Sequence, residues 1–404
     1  MNKLLTYCFL FLGVSTFASP WFQKSIFPAE ARHRTTAFSI GNHGYMGLGH
    51  INSGTDVVHE DFWKYDPSSN SWSQVANYPE GKIYHATCFV IGNLAYVGTG
   101  RRENGSYSVK FHAYNSQTNT WIPKSDFIGL PRRGSVGFSL NNAGYVGTGQ
   151  ISGGFSSTFY KYSPTSNSWA QIASIPAIER TSAVGFSIDN KGYVGTGETP
   201  FGPINDFWEY NPLTDQWIQK ANVSNTSRQE AFGFSINSSG YIGTGLDSTG
   251  NNNLKDIWEY FPASDAWLQC QDFDGTARRY LSGFTIGSRA YMGMGTNGIN
   301  FNDFWMFDPA LSNLTEILNT LKIEIYPNPA THYLRIESSE ILEGIVPKNL
   351  KIVIRDLQGN TKMEEVFDMN LHIFDISELP PSMYFYSFEC EQKRLRTGKF
   401  IIIK

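Results

Sequence analysis

The stretch Gly144-Tyr145-Val146-Gly147-Thr148-Gly149 recurs along the chain and decides its fold. Two close copies occupy residues 192–197 and 240–245, and looser copies occupy residues 44–49, 95–100 and 290–295. The tyrosines of the six copies are separated by 51, 49, 48, 48 and 50 residues. A nearly constant period of this length indicates an array of one supersecondary unit.

One repeat predicts four strands. In the repeat from Arg180 to Val223, short apolar or alternating runs occupy residues 184–188, 193–197, 206–210 and 217–220. The turn residues Asp189-Asn190-Lys191-Gly192 separate the first two runs. Four antiparallel strands in each of several repeats are typical of a β-propeller.

The repeats resemble the kelch family. The family's glycine pair after an apolar strand is present as Gly-Thr-Gly or Gly-Met-Gly. The family's Tyr…Trp pair is present seven residues apart as Tyr65/Trp72, Tyr114/Trp121, Tyr162/Trp169, Tyr210/Trp217 and Tyr260/Trp267. The resemblance covers residues 20–310 and implies an all-β chain with a six-bladed kelch-like β-propeller.

The sixth repeat lacks its tryptophan, because Leu314 stands at that position. Trp21 precedes Phe38 by 17 residues, the same spacing that separates Trp72 from Phe89 and Trp267 from Phe284. We therefore expect the N-terminal strand to be the fourth strand of the last blade. Such closure removes exposed sheet edges.

The N-terminus predicts export. Residues 1–19 combine Lys3, an apolar run over residues 4–14 and the small-x-small triplet Thr16-Phe17-Ala18, which is typical of a signal peptide. A buried N-terminal strand is the alternative. No later stretch approaches the roughly 20 apolar residues of a spanning helix. The remaining cysteines, Cys88, Cys270 and Cys390, show no metal or disulfide spacing, and we interpret them as small core residues.

The last 80 or so residues have a different pattern. After a linker over residues 311–322, alternating apolar runs predict a small β-sandwich over residues 323–404. This segment resembles the type A C-terminal sorting domain of the type IX secretion system of Bacteroidota. The matching features are Tyr326-Pro327-Asn328-Pro329, Asp356-Leu357-Gln358-Gly359 and the final strand. The resemblance implies the type IX machinery as a partner and release or surface attachment.

Charged residues recur at two equivalent positions of the repeats, which we call the arginine column and the aspartate column. Arginines lie six residues before the first-strand Phe, and aspartates lie four residues before the third-strand aromatic residue. The expected structural ion pairs are Arg32/Asp61, Arg180/Asp206, Arg228/Asp256 and Arg278/Asp303. The second repeat has lost its arginine and carries Lys110, so we expect each arginine to reach its own aspartate across the side-chain-poor second strand.

Arg132 has Thr158 in place of an aspartate, so it is the arginine most free to bind an anion. The sequence therefore predicts a ligand site on the loop rim formed by Arg132, Lys110, His85, Arg101 and Arg102. Loops on rigid scaffolds are preferred places for binding residues.

Other chemistry is not indicated. The six histidines between His33 and His112 lack close zinc spacing, and the glycine-rich loops do not lead from a strand into a helix, so no metal or cofactor is expected. A net charge of −4 disfavours nucleic acid as a partner. The leading hypothesis is an exported or surface protein that binds a glycan or a protein. The alternative is a carbohydrate-active enzyme, since six-bladed kelch propellers include sialic-acid epimerases.

We predict that Trp21→Ala lowers the melting temperature far more than substitution of an exposed loop residue does. A buried tryptophan hides about 150–250 Å², so its removal at about 25 cal/mol/Å² costs up to about 4–6 kcal/mol. A thermal melt of the secreted chain measures this. An unchanged melting temperature contradicts closure by the N-terminal strand.

Overall fold

The computed structural model describes residues 19–52, 56–311, 323–338, 350–366, 371–390 and 393–403. The proposed signal peptide (apart from its last residue) and nearly all of the proposed linker lie outside the described residues. The chain divides into two compact units, Trp21–Asp308 and a C-terminal unit that begins at Pro309. Each unit is built from antiparallel strands.

The first unit contains six four-stranded sheets within its described residues. Sheet 1 consists of β2 (Thr36–Ile40), β3 (His43–Gly47), β6 (Phe62–Asp66) and β7 (Ser71–Val75). Sheet 2 consists of β9 (Thr87–Ile91), β10 (Leu94–Gly98), β12 (Phe111–Asn115) and β13 (Thr120–Lys124). Sheet 3 consists of β14 (Val136–Leu140), β15 (Ala143–Gly147), β18 (Phe159–Ser163) and β19 (Ser168–Ile172).

Sheets 4 to 6 follow the same order, except that the last sheet borrows a strand from the N-terminus. Sheet 4 consists of β20 (Val184–Ile188), β21 (Lys191–Gly195), β24 (Phe207–Asn211) and β25 (Gln216–Lys220). Sheet 5 consists of β27 (Phe232–Ile236), β28 (Ser239–Gly243), β30 (Ile257–Phe261) and β31 (Ala266–Gln269). Sheet 6 consists of β32 (Ser282–Ile286), β33 (Arg289–Gly293), β34 (Phe304–Phe307) and β1 (Trp21–Lys24).

Short two-stranded ribbons extend from the loops of the first five sheets. They are β4 (His50–Ile51) with β5 (Val57–Val58), β8 (Ile83–Tyr84) with β11 (Arg101–Arg102), β16 (Gln150–Ile151) with β17 (Gly154–Phe155), β22 (Glu198–Thr199) with β23 (Gly202–Pro203), and β26 (Arg228–Gln229) with β29 (Leu246–Asp247).

The first strands of the six sheets pack against one another in cyclic order. β2 contacts β9, and the series continues through β14, β20, β27 and β32 back to β2. Trp21 lies opposite Phe307 in the register of β1 with β34, at the place that the tryptophan spacing predicts. Its ring is 2% exposed and lies 5.0 Å from the Phe273 ring and 4.6 Å from the Phe307 ring.

The last glycine of each repeated stretch connects neighbouring sheets. Its N–H donates to a carbonyl of the next sheet over 2.7–3.2 Å, in the pairs Gly49→Ile83, Gly100→Arg132, Gly149→Arg180, Gly197→Arg228, Gly245→Arg278 and Gly295→Arg32. These six glycines have φ between 92° and 102°, which side chains rarely tolerate. The Gly295→Arg32 bond joins the last sheet to the first.

The C-terminal unit contains two antiparallel sheets. One consists of β35 (Ile323–Tyr326), β36 (Tyr333–Ser338) and β39 (Leu371–Asp375). The other has the order β38 (Thr361–Val366), β37 (Lys351–Arg355), β40 (Met383–Cys390) and β41 (Lys393–Ile401). Leu334, Ile336, Ile352, Ile354 and Phe400 are buried in this unit.

We predict that Gly295→Ala destabilises the chain more than Gly298→Ala. Both glycines have left-handed φ, 92° and 111°, so the conformational strain of about 1–2 kcal/mol applies to each variant. A Cβ at Gly295 would lie 2.7 Å from the Arg279 carbonyl oxygen, whereas a Cβ at Gly298 would have no neighbour within 4 Å.

The clash and the weakened inter-sheet bond should cost Gly295→Ala about 1–3 kcal/mol more in the free energy of unfolding. Urea unfolding of the two variants beside the wild-type chain measures the difference. Equal losses would show that the glycine link does not limit stability.

Candidate functional site

Four buried arginines each hold an aspartate of their own sheet. Arg32 donates to both carboxylate oxygens of Asp61 over 2.6 and 2.7 Å, and Arg228 does the same to Asp256 over 2.9 and 2.6 Å. Arg180 and Asp206 form the same bidentate pair, as do Arg278 and Asp303. The four guanidinium groups are fully buried, so these charges stabilise the sheets and are not displayed on the rim.

The guanidinium groups lie against the repeated glycine-rich stretch. Arg180 donates to the carbonyl of Thr196, and Arg228 donates to that of Thr244. Burial opposes ionisation of the partner carboxyls, but hydrogen bonds and the arginine charge outweigh it and lower the pKa of Asp61 and Asp256. The arginines therefore reach their aspartates across the second strand.

Arg132 does not have the free position that the sequence suggested. It is 1% exposed and lies 4.9 Å from the Phe127 ring and 5.6 Å from the Tyr160 ring. It donates to the Thr148 carbonyl over 2.9 Å and to Thr158 Oγ1 over 3.2 Å. Because Arg132 is buried and no carboxylate offsets the burial, its pKa is lowered to about 10. Because this arginine is enclosed in its own sheet, it cannot meet a ligand at the rim.

Two other residues of the expected ligand set are already paired on the outside of sheet 2. Lys110 Nζ lies 2.8 Å from a carboxylate oxygen of Asp126 in an exposed ion pair. Arg102 lies 2.9 Å from Glu80 and also donates to Ser108 Oγ. Neither residue lines the central cavity, so the five residues do not form one site.

A narrow opening lies where the six first strands begin, and we call it the mouth. One residue of each sheet, two positions before its first strand, surrounds it: Arg34, His85, Gly134, Ser182, Glu230 and Tyr280. All six have φ between 52° and 62°. Backbone N–H groups at His85, Gly134, Ser182, Glu230 and Tyr280 each donate to the carbonyl of the preceding mouth residue over 2.8–3.1 Å.

A cavity of about 200 Å³ extends from the mouth along the first strands. Its walls are small residues such as Ala37, Cys88, Gly137 and Ser282. Hydroxyl groups on these walls bond sideways to neighbouring strands, as Thr87 does to the Ser135 carbonyl over 2.9 Å. The walls offer few free polar groups, so recognition of a ligand falls to the larger residues at the mouth.

Three arginines gather on one side of the mouth, and we call Arg34, Arg101 and Arg133 the basic cluster. Arg34 donates to His50 Nε2 over 2.9 Å, and its guanidinium lies 4.2 Å from the Tyr280 ring. The guanidinium groups of Arg101 and Arg133 each lie 6.0 Å from the Tyr84 ring, which packs 3.9 Å from that of His50.

The basic cluster lacks counterions. Arg101 donates to the Gly105 carbonyl and Arg133 to the Gln150 side chain. Within the described part of the chain, none of the three arginines forms an ion pair with a carboxylate, in contrast to the four structural arginines. Uncompensated guanidinium groups at a partly open position are suited to bind an anion.

Three histidines beside the basic cluster are held neutral. Burial and the Arg34 charge lower the pKa of His33 to about 4. Burial, His33 and the neighbouring arginines lower that of His50 to about 2. Burial and Arg34 also lower the pKa of His85, which is largely enclosed but has part of its surface in the cavity. The positive charge at the mouth therefore comes from the arginines.

Acidic groups lie on the other side of the mouth. The Tyr280 hydroxyl donates to Glu230 and accepts an N–H of Arg34 over 2.5 Å. Arg279 Nε lies 3.1 Å from the other oxygen of Glu230. Burial raises the pKa of Glu230 despite its hydrogen bond from Tyr280 and the nearby arginines. This carboxyl combines burial, a hydrogen-bond chain and contact with the cavity.

The sequence therefore identified only Arg101 and His85 of the residues near the mouth. It missed Arg34, Arg133, Glu230 and Tyr280. Arg133 lies one residue after the repeated arginine position, and the other three lie two residues after it, where every repeat has a different side chain. Variation at these positions, next to positions that repeat regularly, was the signal by which the sequence could have identified these residues.

The cysteines and possible metal ligands of the described residues were the other candidates for chemistry. Cys88 and Cys270 are free thiols, and burial raises the pKa of Cys88 to about 12. Among the described residues, no three His, Cys, Asp or Glu side chains are placed to hold a metal ion. No helix in the described ranges has the length and apolarity needed to cross a bilayer.

Comparison with known proteins relates both units to families. Residues 33–240 match the KLHDC2/KLHL20/DRC7 Kelch-repeats domain, and residues 324–404 match the Secretion system C-terminal sorting domain. A solved structure titled "Structure of YjhT" aligns with a TM-score of 0.60 and 19% identity over 70% of this chain and 95% of that one. This similarity concerns the fold alone.

Curated relatives match over shorter segments. Kelch-like protein 36 of Bos taurus is 29% identical over 138 residues, which cover 33% of this chain and 21% of that protein. N-acetylneuraminate epimerase of Shigella flexneri serotype 5b (strain 8401) is 36% identical over 87 residues, covering 21% of this chain and 23% of the enzyme. The chain thus spans less than a quarter of the length of either relative.

The kelch match covers more than half of the 404 residues and includes all of the first four repeated sheets. The C-terminal match indicates export by the type IX system to the cell surface or the exterior. The chain belongs to the kelch-repeat family and carries a type IX C-terminal sorting domain.

Proposed function

We propose that this chain is an exported binding protein whose mouth takes a sugar bearing a carboxylate. In this proposal the six sheets are the blades of one propeller, which the N-terminal strand closes at Trp21. The two C-terminal sheets form a β-sandwich that serves secretion. The cyclic order of the first strands and the link from Gly295 to Arg32 support the closed arrangement.

The basic cluster carries the proposal. Arg34, Arg101 and Arg133 stand near one another without carboxylate partners in the described residues, although four other arginines of the same unit have them. A hydrogen bond to a charged group contributes about 1.5–3 kcal/mol. A carboxylate could accept such bonds from more than one arginine, and this would offset the repulsion among the guanidinium groups.

The surroundings favour a sugar over a large anion. The cavity of about 200 Å³ is smaller than the roughly 300–1,000 Å³ typical of sites for drug-sized ligands, so a monosaccharide unit suits it better than a larger ligand. Tyr84 and Tyr107 lie next to Arg133 and supply aromatic surface. Because the whole chain has a net charge of −4, positive charge is confined to the basic cluster, and binding of polyanions such as nucleic acid is disfavoured.

A protein partner would use a different surface. Leu130, Phe201 and Ile299 are 61%, 87% and 74% exposed on the loops that surround the mouth. Exposed apolar side chains favour protein contact where they form a contiguous patch. Substitution of these residues and of the basic cluster therefore distinguishes the two kinds of partner.

A second candidate is isomerisation of an acidic sugar. Glu230 supports it, because a buried carboxyl that contacts a cavity and whose pKa is raised by burial has the features of a general acid or base. The match to an N-acetylneuraminate epimerase is compatible with this activity. NMR of N-acetylneuraminate anomers with and without the protein tests it, and acceleration that Glu230→Gln abolishes would favour the enzyme.

We predict that Arg133→Gln weakens binding of carboxylated sugars at least about tenfold, because it removes a charge-assisted hydrogen bond. Lys110→Gln is the matched control, since Lys110 is a cation of the neighbouring sheet that pairs with Asp126 away from the cavity. A glycan array followed by calorimetry with glucuronate measures both variants. Equal affinities of the two variants would contradict binding at the basic cluster.

We also predict that carboxylate binding takes up protons at pH 5 and none at pH 8. His33 faces Arg34, Arg279, His50 and Tyr280, and its pKa of about 4 keeps the His33 side chain largely neutral in the free protein at pH 5. An anion beside Arg34 would raise this pKa, so affinity should increase as the pH falls from 7 to 5.

Calorimetry in buffers of different ionisation enthalpy measures the number of protons bound. His33→Asn should remove most of the uptake. Proton uptake that is equal in the variant, or absent at pH 5, would contradict this coupling.

A further inference from the structure

The cavity below the mouth is shallow. Its lining ends at the second residue of each first strand, which is Ala37 in sheet 1 and Cys88 in sheet 2. These residues follow the mouth residues Arg34 and His85 by three positions, which span at most about 10 Å of extended chain. A cavity of this depth and of about 200 Å³ accommodates about one sugar unit. Further units of a ligand would therefore extend from the mouth toward the loops around it.

Two aromatic side chains lie on these loops beside the basic cluster, and we call Tyr107 and Phe155 the aromatic pair. Both side chains are partly exposed. Tyr107 belongs to the hairpin of sheet 2, where it forms a β-bridge with Arg101. Phe155 ends the ribbon of sheet 3, where it lies opposite Gln150. The aromatic pair thus comes from the two sheets that supply Arg101 and Arg133.

Arg133 connects the two aromatic residues. Its guanidinium group lies 6.0 Å from the Tyr107 ring, and its Nε donates to the Gln150 side chain over 2.8 Å. Residues that lie opposite one another in antiparallel strands have side chains on the same face, with Cβ atoms about 4.5–5.5 Å apart. Phe155 therefore lies on the face of the ribbon from which Gln150 holds Arg133.

Packing within sheet 3 does not account for Phe155. The rings of Phe138 and Phe159 are buried and lie 6.5 Å from each other in the interior. Phe155, by contrast, makes no ring contact with another aromatic residue in the described part of the chain. A two-residue turn at Ser152-Gly153 fixes the register of its ribbon. An accessible aromatic ring is thus held in a defined place beside a charged site.

We propose that the aromatic pair binds the second unit of a glycan chain whose terminal unit is the sugar acid in the mouth. The ligand class is then an oligosaccharide that ends in a uronic acid or a similar sugar acid. The C–H faces of a sugar ring are apolar, and tyrosine and phenylalanine offer them large, rigid surfaces. This inference rests on the proposed function, since it extends the ligand of the same site.

Charge and apolar surface together favour this ligand over simpler ones. A single sugar acid would satisfy the basic cluster and leave the aromatic pair in water. A neutral oligosaccharide would cover the aromatic pair and leave the arginines without an anion. A chain that ends in a sugar acid places its carboxylate at the basic cluster and its next ring outside the mouth, so both surfaces contribute to its affinity.

Calorimetric titrations of the full secreted chain with glucuronate, glucuronosyl-glucose and glucosyl-glucuronate test the inference. The two disaccharides carry the acid at opposite ends, so they cover both directions of the glycan chain. The wild-type chain should bind at least one disaccharide about tenfold more tightly than glucuronate. Phe155→Ser should bring this ratio of affinities close to one, because it removes an aromatic surface for the second unit.

Phe201→Ser is the matched control, because Phe201 is 87% exposed in the ribbon turn of sheet 4, which supplies no arginine of the basic cluster. It should keep the tenfold ratio. Equal affinity of the wild-type chain for all three sugars, or equal ratios in the two variants, would overturn the second-unit inference and leave carboxylate binding intact. Failure of all three sugars to bind would overturn the proposed function as well.

Discussion

The hydrogen bond from the last glycine of each repeated stretch to the next sheet underlies the rest of the first unit. The donor has φ near 100°, and the acceptor residue is a buried arginine in five sheets, of which four pair that arginine with an aspartate. One residue thus receives a bond from the preceding sheet through its carbonyl and pairs with an aspartate of its own sheet through its guanidinium. The same residue therefore links two neighbouring sheets and stabilises the interior of its own sheet.

The same link fixes the geometry of the mouth. Two residues after the acceptor, the chain adopts left-handed φ, and this residue of each sheet lines the mouth. The backbone bonds among these residues hold them in place whatever their side chains are. The scaffold can therefore carry arginine, glutamate, tyrosine or glycine at equivalent positions, and chemical function can vary while the frame stays constant.

Repetition within one chain explains what could be predicted from the sequence. Residues that recur in every repeat, such as the glycines and the Tyr…Trp pairs, serve packing that each sheet needs, so periodicity identified the strands and the place of Trp21. The Arg180/Asp206 pair was predictable because its two columns change together in the second repeat.

Arg34 and Arg133 could not be predicted in this way. They occupy columns without a pattern, and their proximity depends on how separate sheets converge. Arg132 was misjudged because Thr158, Thr148 and two aromatic rings satisfy it without an aspartate.

Loss of the ion pairs in sheets 2 and 3 bears on the charge of the mouth. Ile83 replaces the buried arginine in sheet 2, and Lys110 and Thr158 stand where the other sheets have aspartates. These two sheets supply Arg101 and Arg133, two of the three arginines of the basic cluster. A guanidinium group in a partly enclosed position interacts more strongly with an anion when no nearby carboxylate competes. The two sheets that depart from the repeat thus lack its buried ion pair, and in the proposed function the same two sheets supply two of the arginines that bind the anion.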